Sequence, residues 1–407
     1  MPKIYVMTRI IHTFIILMLA ILPCNAQRII RKSSRHFIEA QTLPEKVGPL
    51  LSDAWHQYYA PYNDLCPLDS TDTSRCMAGC VATSMAQVMH YWKWPFIGSG
   101  SHTYVDSLGC KKTLTCNFYE HVYDWDNMLD DYEGMDYTEQ QGQAVAMLMR
   151  DCGISVNMKY GASSSGAKCV RQPEALANYF DYSRGIQMYF RDFYSLEEMT
   201  LMLKRELAAG RPVLVGGYSR TLSHAFLIDG YDENDNFHIM LGLPLNDGDC
   251  WTYLTHMTPD QPEWYNKNSP EGGLNMLQTF ILGIVPNGHE GATDIERHNY
   301  AFQSIRAVKD SCDESCIYNR DDVRLTIHDL SNVGWNLHND SVAIMLKKND
   351  RIVAPLYTYD RAFLLEELDD TTYTDTISIS VPEEIEDGAY SIVPMYRDNA
   401  EGRYRMA

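Results

Sequence analysis

The sequence from residue 78 to residue 87 is Ala78-Gly79-Cys80-Val81-Ala82-Thr83-Ser84-Met85-Ala86-Gln87. Apolar residues recur at helical spacing as far as Trp92, and Pro95 then predicts the end of a helix that begins near Cys80. The first turn of a helix offers unpaired N–H groups and a positive dipole end, which favour a thiolate over a thiol. Gly79 leaves room for a substrate backbone to approach. The stretch therefore predicts either a nucleophilic cysteine or a buried structural one, which is the more common role for this residue type.

A histidine far downstream favours the nucleophilic interpretation. The string around it is Ser223-His224-Ala225-Phe226-Leu227-Ile228-Asp229-Gly230. A cysteine nucleophile needs a base and acid partner, usually histidine, together with donors for the oxyanion. Cys80 and His224 supply the pair, and the N–H of Cys80 and the side-chain amide of Gln57 are the candidate oxyanion donors.

The composition limits the classes of partner. A chain of 407 residues predicts two domains, and 45% hydrophobic with 22% charged residues is typical of a globular protein. The formal charge of −20 argues against nucleic acid or an anionic membrane as a partner, and it favours a monomer because copies repel one another. The sequence has neither a phosphate-binding glycine loop nor a His-Glu-x-x-His zinc string, so we expect no cofactor and no metal.

Residues 1–26 are interpreted as a signal peptide. Lys3 and Arg9 make a basic start, the run from residue 13 to residue 22 is apolar, and cleavage fits after Ala26. The apolar run is short for a membrane span. Cys24 raises a lipoprotein alternative, but the proline before it fits that motif poorly. We therefore expect an exported protein that is secreted, periplasmic or at the cell surface.

The cysteines fit an exported protein without fixing a disulfide pattern. Without Cys24, ten of the 11 cysteines remain, and if Cys80 is the nucleophile the rest are odd in number. At least one further free thiol is then expected. The local pairs Cys110/Cys116 and Cys312/Cys316 are the candidate bridges, and a metal site at the second pair is the weaker interpretation.

The pattern of helices and strands indicates an α+β fold. Helices are predicted over residues 139–150 with Gly153 as the stop, up to residue 180 with Pro173 in the first turn, and from a Ser195/Glu198 capping box to Gly210. Strands are predicted over residues 212–215, 224–228, 237–241, 250–254 and 277–285, separated by turns such as residues 229–230. A helical half thus precedes an antiparallel half, and the substrate cleft is expected between them.

The chain divides into four predicted parts. Residues 27–46 form a short leader or arm after the signal peptide, and residues 47–287 form the catalytic domain. Residues 288–407 alternate apolar and polar side chains at period two, which predicts a small all-β domain of sandwich type. This last domain is either an adhesion module for carbohydrate, a surface or a partner, or a stabilising appendage.

Several strings in matching order resemble the streptopain family of cysteine peptidases, whose catalytic domain is papain-like. They are Gly79-Cys80-Val81-Ala82-Thr83 with Gln87, Tyr160-Gly161 with Ser165-Gly166-Ala167, and His224-Ala225-Phe226 with Ile228-Asp229-Gly230. The resemblance covers about residues 47–287. It implies Cys80 as nucleophile, His224 as general base and acid, and Gln57 as an oxyanion-hole residue. It also implies that a loop forms a wall of the substrate cleft, namely Ser163, Ser164, Ser165 and Gly166.

The sequence departs from this family in two places. The family carries a His-x-Asn-Trp-Gly-Trp string whose Asn and Trp orient and shield the histidine, and the matching stretch is His238-Ile239-Met240-Leu241-Gly242-Leu243. Met240 cannot hydrogen-bond an imidazole in the same way. Family members also usually carry a sizeable inhibitory prodomain, where only residues 27–46 precede the predicted domain. Two hypotheses follow: an exported cysteine endopeptidase that cleaves polypeptides through an acyl-enzyme, or a catalytically impaired protein that binds peptides or acts in adhesion on a peptidase scaffold.

Overall fold

A computed structural model describes residues 3–7, 43–219, 222–244, 249–255, 273–293, 300–301, 304–308, 316–318, 322–328, 331–332, 341–349, 351–359, 374–382, 384–386, 388–397 and 404–406. The helices in these ranges are α1 (Cys80–Trp92), α2 (Glu139–Ser155), α3 (Gln172–Tyr179) and α4 (Leu196–Ala208). The strands are β1 (Lys3–Met7), β2 (Ser101–Asp106), β3 (Lys112–Asn117), β4 (Gln187–Phe190), β5 (Val213–Tyr218), β6 (Ser223–Tyr231), β7 (Asn236–Met240), β8 (Cys250–Tyr253), β9 (Met276–Leu282), β10 (Tyr300–Ala301), β11 (Ser304–Val308), β12 (Cys316–Tyr318), β13 (Asp322–His328), β14 (Ser331–Asn332), β15 (Ser341–Lys348), β16 (Arg351–Thr358), β17 (Thr374–Ser380), β18 (Gly388–Arg397) and β19 (Tyr404–Met406). The predicted α+β class is confirmed. None of the helices in the described ranges has the length and apolar character that crossing a membrane requires.

The central helix α1 begins and ends where the sequence predicts. It starts at Cys80 after Gly79, and Lys93 ends it in the left-handed conformation before the predicted stop at Pro95. Every residue from Val81 to His90 is buried. A helix that is buried on all sides must lie between other elements, and α1 packs against α2 and β6.

Helix α2 is longer than predicted. A capping box between Thr138 and Gln141 starts it, as both side-chain-to-backbone hydrogen bonds are present. The helix continues through Gly153 to Ser155, so the expectation that Gly153 stops it is wrong. A Cβ atom at Gly153 would lie 2.1 Å from the hydroxyl oxygen of Tyr160. The glycine therefore allows the tyrosine ring to approach, and the helix tolerates it.

Six strands form the main sheet in the order β4-β9-β5-β6-β7-β8, and every neighbouring pair is antiparallel. The five strands predicted after Gly210 correspond to β5 to β9, with ends shifted by a few residues. The expected turn at residues 229–230 is wrong, because Asp229 lies inside β6, where the register with β7 shifts between Ile228 and Gly230. A bulge at this point turns the buried Asp229 carboxylate toward the main chain of Leu51 and the ring of His238.

Helices α1 and α2 lie on one face of the main sheet, and α4 lies on the other. Side chains alternate along a strand, so neighbouring residues enter different cores. The face toward α1 and α2 carries the buried residues Leu214, Ala225, Leu227, Met240 and Ile281. The face toward α4 carries the buried residues Val213, Val215, Phe226, Ile228, Ile239 and Phe280. Helix α4 starts with the predicted capping box, in which Ser195 and Glu198 each accept the other's backbone N–H.

The strands after residue 299, together with β1, build two larger sheets. One has the order β12-β1-β18-β15-β16 with β19 beside β18, and the other has the order β11-β13-β17. The alternating residues Val323, Leu325 and Ile327 are buried, and they share a core with inward residues of β15 and β18. The regular elements of the described C-terminal residues are thus all strands, as the sequence predicts, while the domain boundary itself stays a prediction.

This C-terminal part packs on the main sheet and α4. Lys347 of β15 donates to both carboxylate oxygens of Glu198 at 2.6 and 2.7 Å, and its side chain is almost fully buried. Its ammonium also lies 5.7 Å from the centre of the Tyr194 ring. Gln187 of β4 and Tyr396 of β18 are 3.5 Å apart across the same interface. Among the described residues, an ion pair, a cation–π contact and a side-chain hydrogen bond therefore connect the two parts.

The N-terminal segment contributes one strand to the C-terminal part. The main chain of β1 pairs antiparallel with β18 and parallel with β12. The predicted cleavage site after Ala26 and most of the predicted leader lie outside the described residues. From Val47 onward the chain is held by β6, since Val47 and Tyr231 exchange two main-chain hydrogen bonds of 2.9 and 2.8 Å.

The described cysteines contradict one of the two predicted disulfide bridges. The described cysteine side chains are free thiols at Cys66, Cys76, Cys80, Cys110, Cys116, Cys152, Cys169 and Cys250. The predicted bridge between Cys110 and Cys116 is therefore wrong. Cys116 lies in β3 and Cys110 lies in the turn before it, and the strand from Lys112 to Cys116 alone is about 13 Å long. A disulfide needs Cα atoms within about 7 Å. The pair Cys312/Cys316 is not testable, because Cys312 lies outside the described residues.

Candidate active site

The thiol of Cys80 lies at the N-terminus of α1. Gly79 precedes it with φ of 92°, a conformation that favours glycine, and a Cβ atom there would lie 2.7 Å from the sulfur of Met158. No side chain caps this end of the helix. The N–H groups of Val81 and Ala225 hydrogen-bond to the Cys80 sulfur instead. The helix start therefore places a glycine and two main-chain N–H groups next to the thiol.

His224 is the partner of Cys80, as the sequence predicts. It lies near the start of β6, where it pairs with Gly217 of β5, and only 7% of the residue is exposed. Its Nε2 lies 2.7 Å from the carbonyl oxygen of Leu241 and donates to it. A side-chain hydrogen bond joins His224 to Cys80, and Nδ1 is the ring nitrogen that remains for it.

The two groups shift each other's pKa in the direction of an ion pair. Burial disfavours the thiolate, but the charge and hydrogen bond of His224 outweigh it, so the pKa of Cys80 lies below its usual value of 9.0. Burial likewise disfavours the imidazolium, but the charge of Cys80 and the hydrogen bonds to Cys80 and Leu241 together outweigh it, and the pKa of His224 rises above 6.5. A thiolate facing an imidazolium is the nucleophilic form of a cysteine.

The stretch that departs from the streptopain string is apolar and buried. Met240 is the last residue of β7, opposite Leu227 of β6, and it is 4% exposed. Leu241 and Leu243 are 1% and 4% exposed. The side chain of Met240 therefore packs and does not contact an imidazole by a hydrogen bond. The acceptor for His224 comes from the main chain of Leu241.

Two carboxylates lie next to this stretch, the buried Asp229 and the half-buried Asp249. The main-chain N–H of Leu241 donates to Oδ1 of Asp249 at 2.8 Å. Asp229 does not replace the missing side chain, since its carboxylate accepts from Leu51 N–H at 3.0 Å and lies 2.6 Å from His238. Burial raises the pKa of Asp249 to about 7, with its neighbours His238 and Asp229 acting in opposite directions.

Gln57 is placed beside the start of α1. Its main-chain oxygen accepts from the N–H of Ala78 at 2.9 Å, and the residue is 7% exposed. Its side chain hydrogen-bonds to Tyr58. Burial and the nearby charge of Cys80 raise the pKa of Tyr58, so this residue lies near the thiol. The oxyanion role of Gln57 stays a prediction, and Tyr58 is a neighbour of the site that sequence reasoning missed.

The loop predicted to line the cleft also lies next to α1. Ser165 is buried, its Oγ accepts from Gly161 N–H at 3.0 Å, and its Cβ lies close to Gly79. Ser163, Ser164 and Gly166 are exposed. One residue of the predicted set thus anchors the loop beside Cys80, and the other three face solvent. Their contact with substrate stays a prediction.

A second thiol borders the site. Cys169 lies over β5, because a Cβ atom at Gly216 would be 2.9 Å from its sulfur, and Gly216 is opposite Ala225. Burial, together with the charge of Cys80, raises the pKa of Cys169 to about 12. Sequence reasoning missed this residue, since its position depends on how the loop after residue 166 crosses the sheet.

A polar cluster away from Cys80 contains residue types that commonly bind metals, but its side chains contact one another by hydrogen bonds. Cys116, His121 and Asp151 lie together, with His121 Nδ1 2.7 Å from Asp151 Oδ2 and Cys116 Sγ 3.4 Å from Asp151 Oδ1. Arg150 donates to Asp151 Oδ1 at 2.7 and 2.9 Å, and Tyr123 donates to Oδ2 at 3.1 Å. The guanidinium already neutralises the carboxylate, so we interpret the cluster as a buried hydrogen-bond network.

Comparison with known proteins agrees with this geometry. A sequence model described as the peptidase C10 family matches residues 55–247. The thiol protease/hemagglutinin PrtT of Porphyromonas gingivalis is 29% identical over 282 residues, which is 67% of this chain and 31% of that protein. Streptopain of Streptococcus pyogenes is 31% identical over 240 residues, or 56% of this chain and 59% of that protein. The chain therefore spans about a third to three fifths of the length of these relatives.

Two solved structures are also similar. Active wild-type interpain A cysteine protease of Prevotella intermedia has a TM-score of 0.51 at 32% identity, covering 60% of this chain and 96% of that one. A fragment of prointerpain A from the same organism also has a TM-score of 0.51, at 31% identity, covering 60% of this chain and 74% of that one.

Proposed function

This chain belongs to the peptidase C10 family, the streptopain-like cysteine peptidases, and on that premise we propose that it is an exported cysteine endopeptidase acting on polypeptides. The observation that carries the proposal is the pair of half-buried Cys80 and buried His224, in which each group stabilises the charged form of the other. Export is supported by the basic start and apolar run within residues 1–26.

The proposed reaction proceeds in two steps. The Cys80 thiolate attacks the scissile carbonyl carbon, and a C–S bond forms while the oxyanion is held by the Cys80 N–H and the Gln57 amide. His224 gives its proton to the leaving amine as the C–N bond breaks, which leaves an acyl-enzyme. The neutral imidazole then takes a proton from water, and the resulting hydroxide attacks the thioester and releases the acid and the thiol.

A second candidate is a peptide-binding or adhesion protein with impaired catalysis. The observation that favours it is the replacement of the family's orienting Asn and Trp by Met240 and Leu241. The hydrogen bond from His224 to the Leu241 carbonyl weakens this candidate, because the imidazole keeps an acceptor. We therefore rank catalysis first.

We infer a stabilising role for the C-terminal β part. Its contact with the peptidase part includes the almost fully buried Lys347–Glu198 ion pair, whose charges would be exposed to solvent if the two parts separated. An adhesion role is the alternative, and binding of the isolated chain to glycan arrays or to cell envelopes would support that alternative instead.

The test uses purified residues 27–407 and a thiol-directed peptidyl epoxide, with modification read by intact mass. Fast stoichiometric labelling is expected in the wild type and none in Cys80→Ala, together with cleavage of an unlabelled peptide library by the wild type alone. No labelling and no cleavage by a chain that calorimetry shows to be folded would refute the peptidase proposal and leave the binding protein.

A further inference from the structure

The residue Leu241 makes two main-chain hydrogen bonds in opposite directions. Its carbonyl oxygen accepts from Nε2 of His224 at 2.7 Å, and its N–H donates to Oδ1 of Asp249 at 2.8 Å. Leu241 is 1% exposed and His224 is 7% exposed, so water does not compete for the first of these bonds. A hydrogen bond in such a place is stronger than the same bond in water.

We propose that Asp249 is a positioning residue for His224, which acts by holding the main chain of Leu241 so that its carbonyl orients the imidazole. The Leu241 carbonyl thereby takes the place of the side-chain amide that the sequence lacks at Met240. This inference rests on the proposed function, since it gives the Cys80–His224 pair the third group that a cysteine nucleophile and its histidine use.

The local chain path supports the proposal. Gly242 follows Leu241 with φ of +64°, which L side chains rarely adopt. A Cβ atom at Gly242 would lie 3.2 Å from the Thr83 side chain of α1 and 3.6 Å from the Trp55 carbonyl. The turn after Leu241 is therefore fixed by Gly242, and the N–H before that turn is fixed by Asp249. Between these two points the carbonyl has little freedom to rotate away from His224.

The other candidates for this role are already engaged. Met240 offers only a thioether and lies in the apolar face toward α1. The Asp229 carboxylate contacts Leu51 and His238. Asp249 is the carboxylate that reaches the Leu241 peptide, and its charge is influenced by His238, Asp229 and Asp53. Both the ionised and the protonated form of Asp249 keep an oxygen lone pair for the Leu241 N–H.

The test measures the chemical reactivity of Cys80 as a function of pH. Alkylation by iodoacetate gives a bell-shaped profile for a thiolate–imidazolium pair, because the anionic reagent is drawn to the imidazolium, and the upper limb reports the pKa of His224. We compare the wild type with Asp249→Ala, Asp249→Asn and a matched exposed control, Asp235→Asn. The kcat and KM for a peptide substrate are measured on the same samples.

In Asp249→Ala the upper limb is expected to fall by about one pH unit, because the imidazolium loses a fixed acceptor, and kcat falls about tenfold with KM unchanged. Asp249→Asn keeps an acceptor for Leu241 and stays within about threefold of the wild type, as does the control. An unchanged upper limb in folded Asp249→Ala overturns the proposal.

A backbone variant covers the case in which Asp249→Ala does not fold. Replacing Gly242 by glycolic acid turns the peptide after Leu241 into an ester, whose carbonyl is a weaker acceptor, with every side chain retained. The same fall in the upper limb is expected, and an unchanged profile overturns the proposal. Since the alkylation profile needs no substrate, failure to cleave peptides refutes the peptidase function without touching this inference.

Discussion

Replacing His224 by glutamine is expected to slow the alkylation of Cys80 at pH 7 by roughly one to two orders of magnitude. Burial raises the pKa of Cys80, whereas the charge and hydrogen bond of His224 lower it. Without the imidazole the pKa of Cys80 returns to 9.0 or above, so the thiolate fraction at pH 7 is about 1% or less. In the wild type the thiolate fraction at this pH is larger, because His224 lowers the pKa of Cys80 below 9.0.

The assay is the second-order rate of iodoacetamide alkylation from pH 5 to pH 9, read by intact mass. The wild type is expected to show a plateau, and His224→Gln a rate that rises tenfold per pH unit. Cys80→Ala gives the background from the other thiols, to which neighbouring Cys169 contributes little because burial raises its pKa to about 12. His102→Gln is the matched control. A wild-type rate that rises tenfold per unit, or an unchanged rate in His224→Gln, refutes the ion pair.

Three further predictions concern other contacts. Met240→Asn is expected to change kcat/KM by less than about twofold, since His224 already has an acceptor; a tenfold gain in peptide hydrolysis would contradict this. Lys347→Met is expected to lower the free energy of unfolding by about 1–3 kcal/mol, measured by denaturant titration, because the Glu198 carboxylate is left in the interface without its ion-pair partner; no loss would contradict it. Burial raises the pKa of Asp249 to about 7 in the folded state against 3.8 unfolded, so folding takes up a proton and stability falls as pH rises from about 4 to 7. Asp249→Asn should therefore flatten the pH dependence of the unfolding free energy over this range, and an identical slope would refute it.

The parts of the fold that follow from side-chain pattern are predictable from the sequence. Helix α1, the Ser195/Glu198 capping box and the strands β5 to β9 each depend on residues close together in the chain, so periodicity and turn residues locate them. Cys80 and His224 are predictable for a related reason, because the chemistry requires those residue types and the strings around them are specific.

The parts that depend on distant main-chain contacts are not predictable in this way. Gly153 lies inside α2 because the Tyr160 ring approaches it, and Asp229 lies inside β6 because a bulge turns it inward. The acceptor for His224 is a carbonyl, which every residue carries, so the identity of Leu241 gives no sign of it. A missing side chain in a motif therefore does not establish a missing hydrogen bond.

The carboxylate of Glu198 accepts hydrogen bonds from two parts of the chain. It accepts the N–H of Ser195 in the capping box that opens α4, and it is also the acceptor for Lys347 of β15. Fraying of the first turn of α4 would remove the acceptor from Lys347, and undocking of β15 would leave the helix start with an uncompensated charge. The two parts of the chain are thus thermodynamically linked, and a ligand that binds either one raises the melting temperature of both.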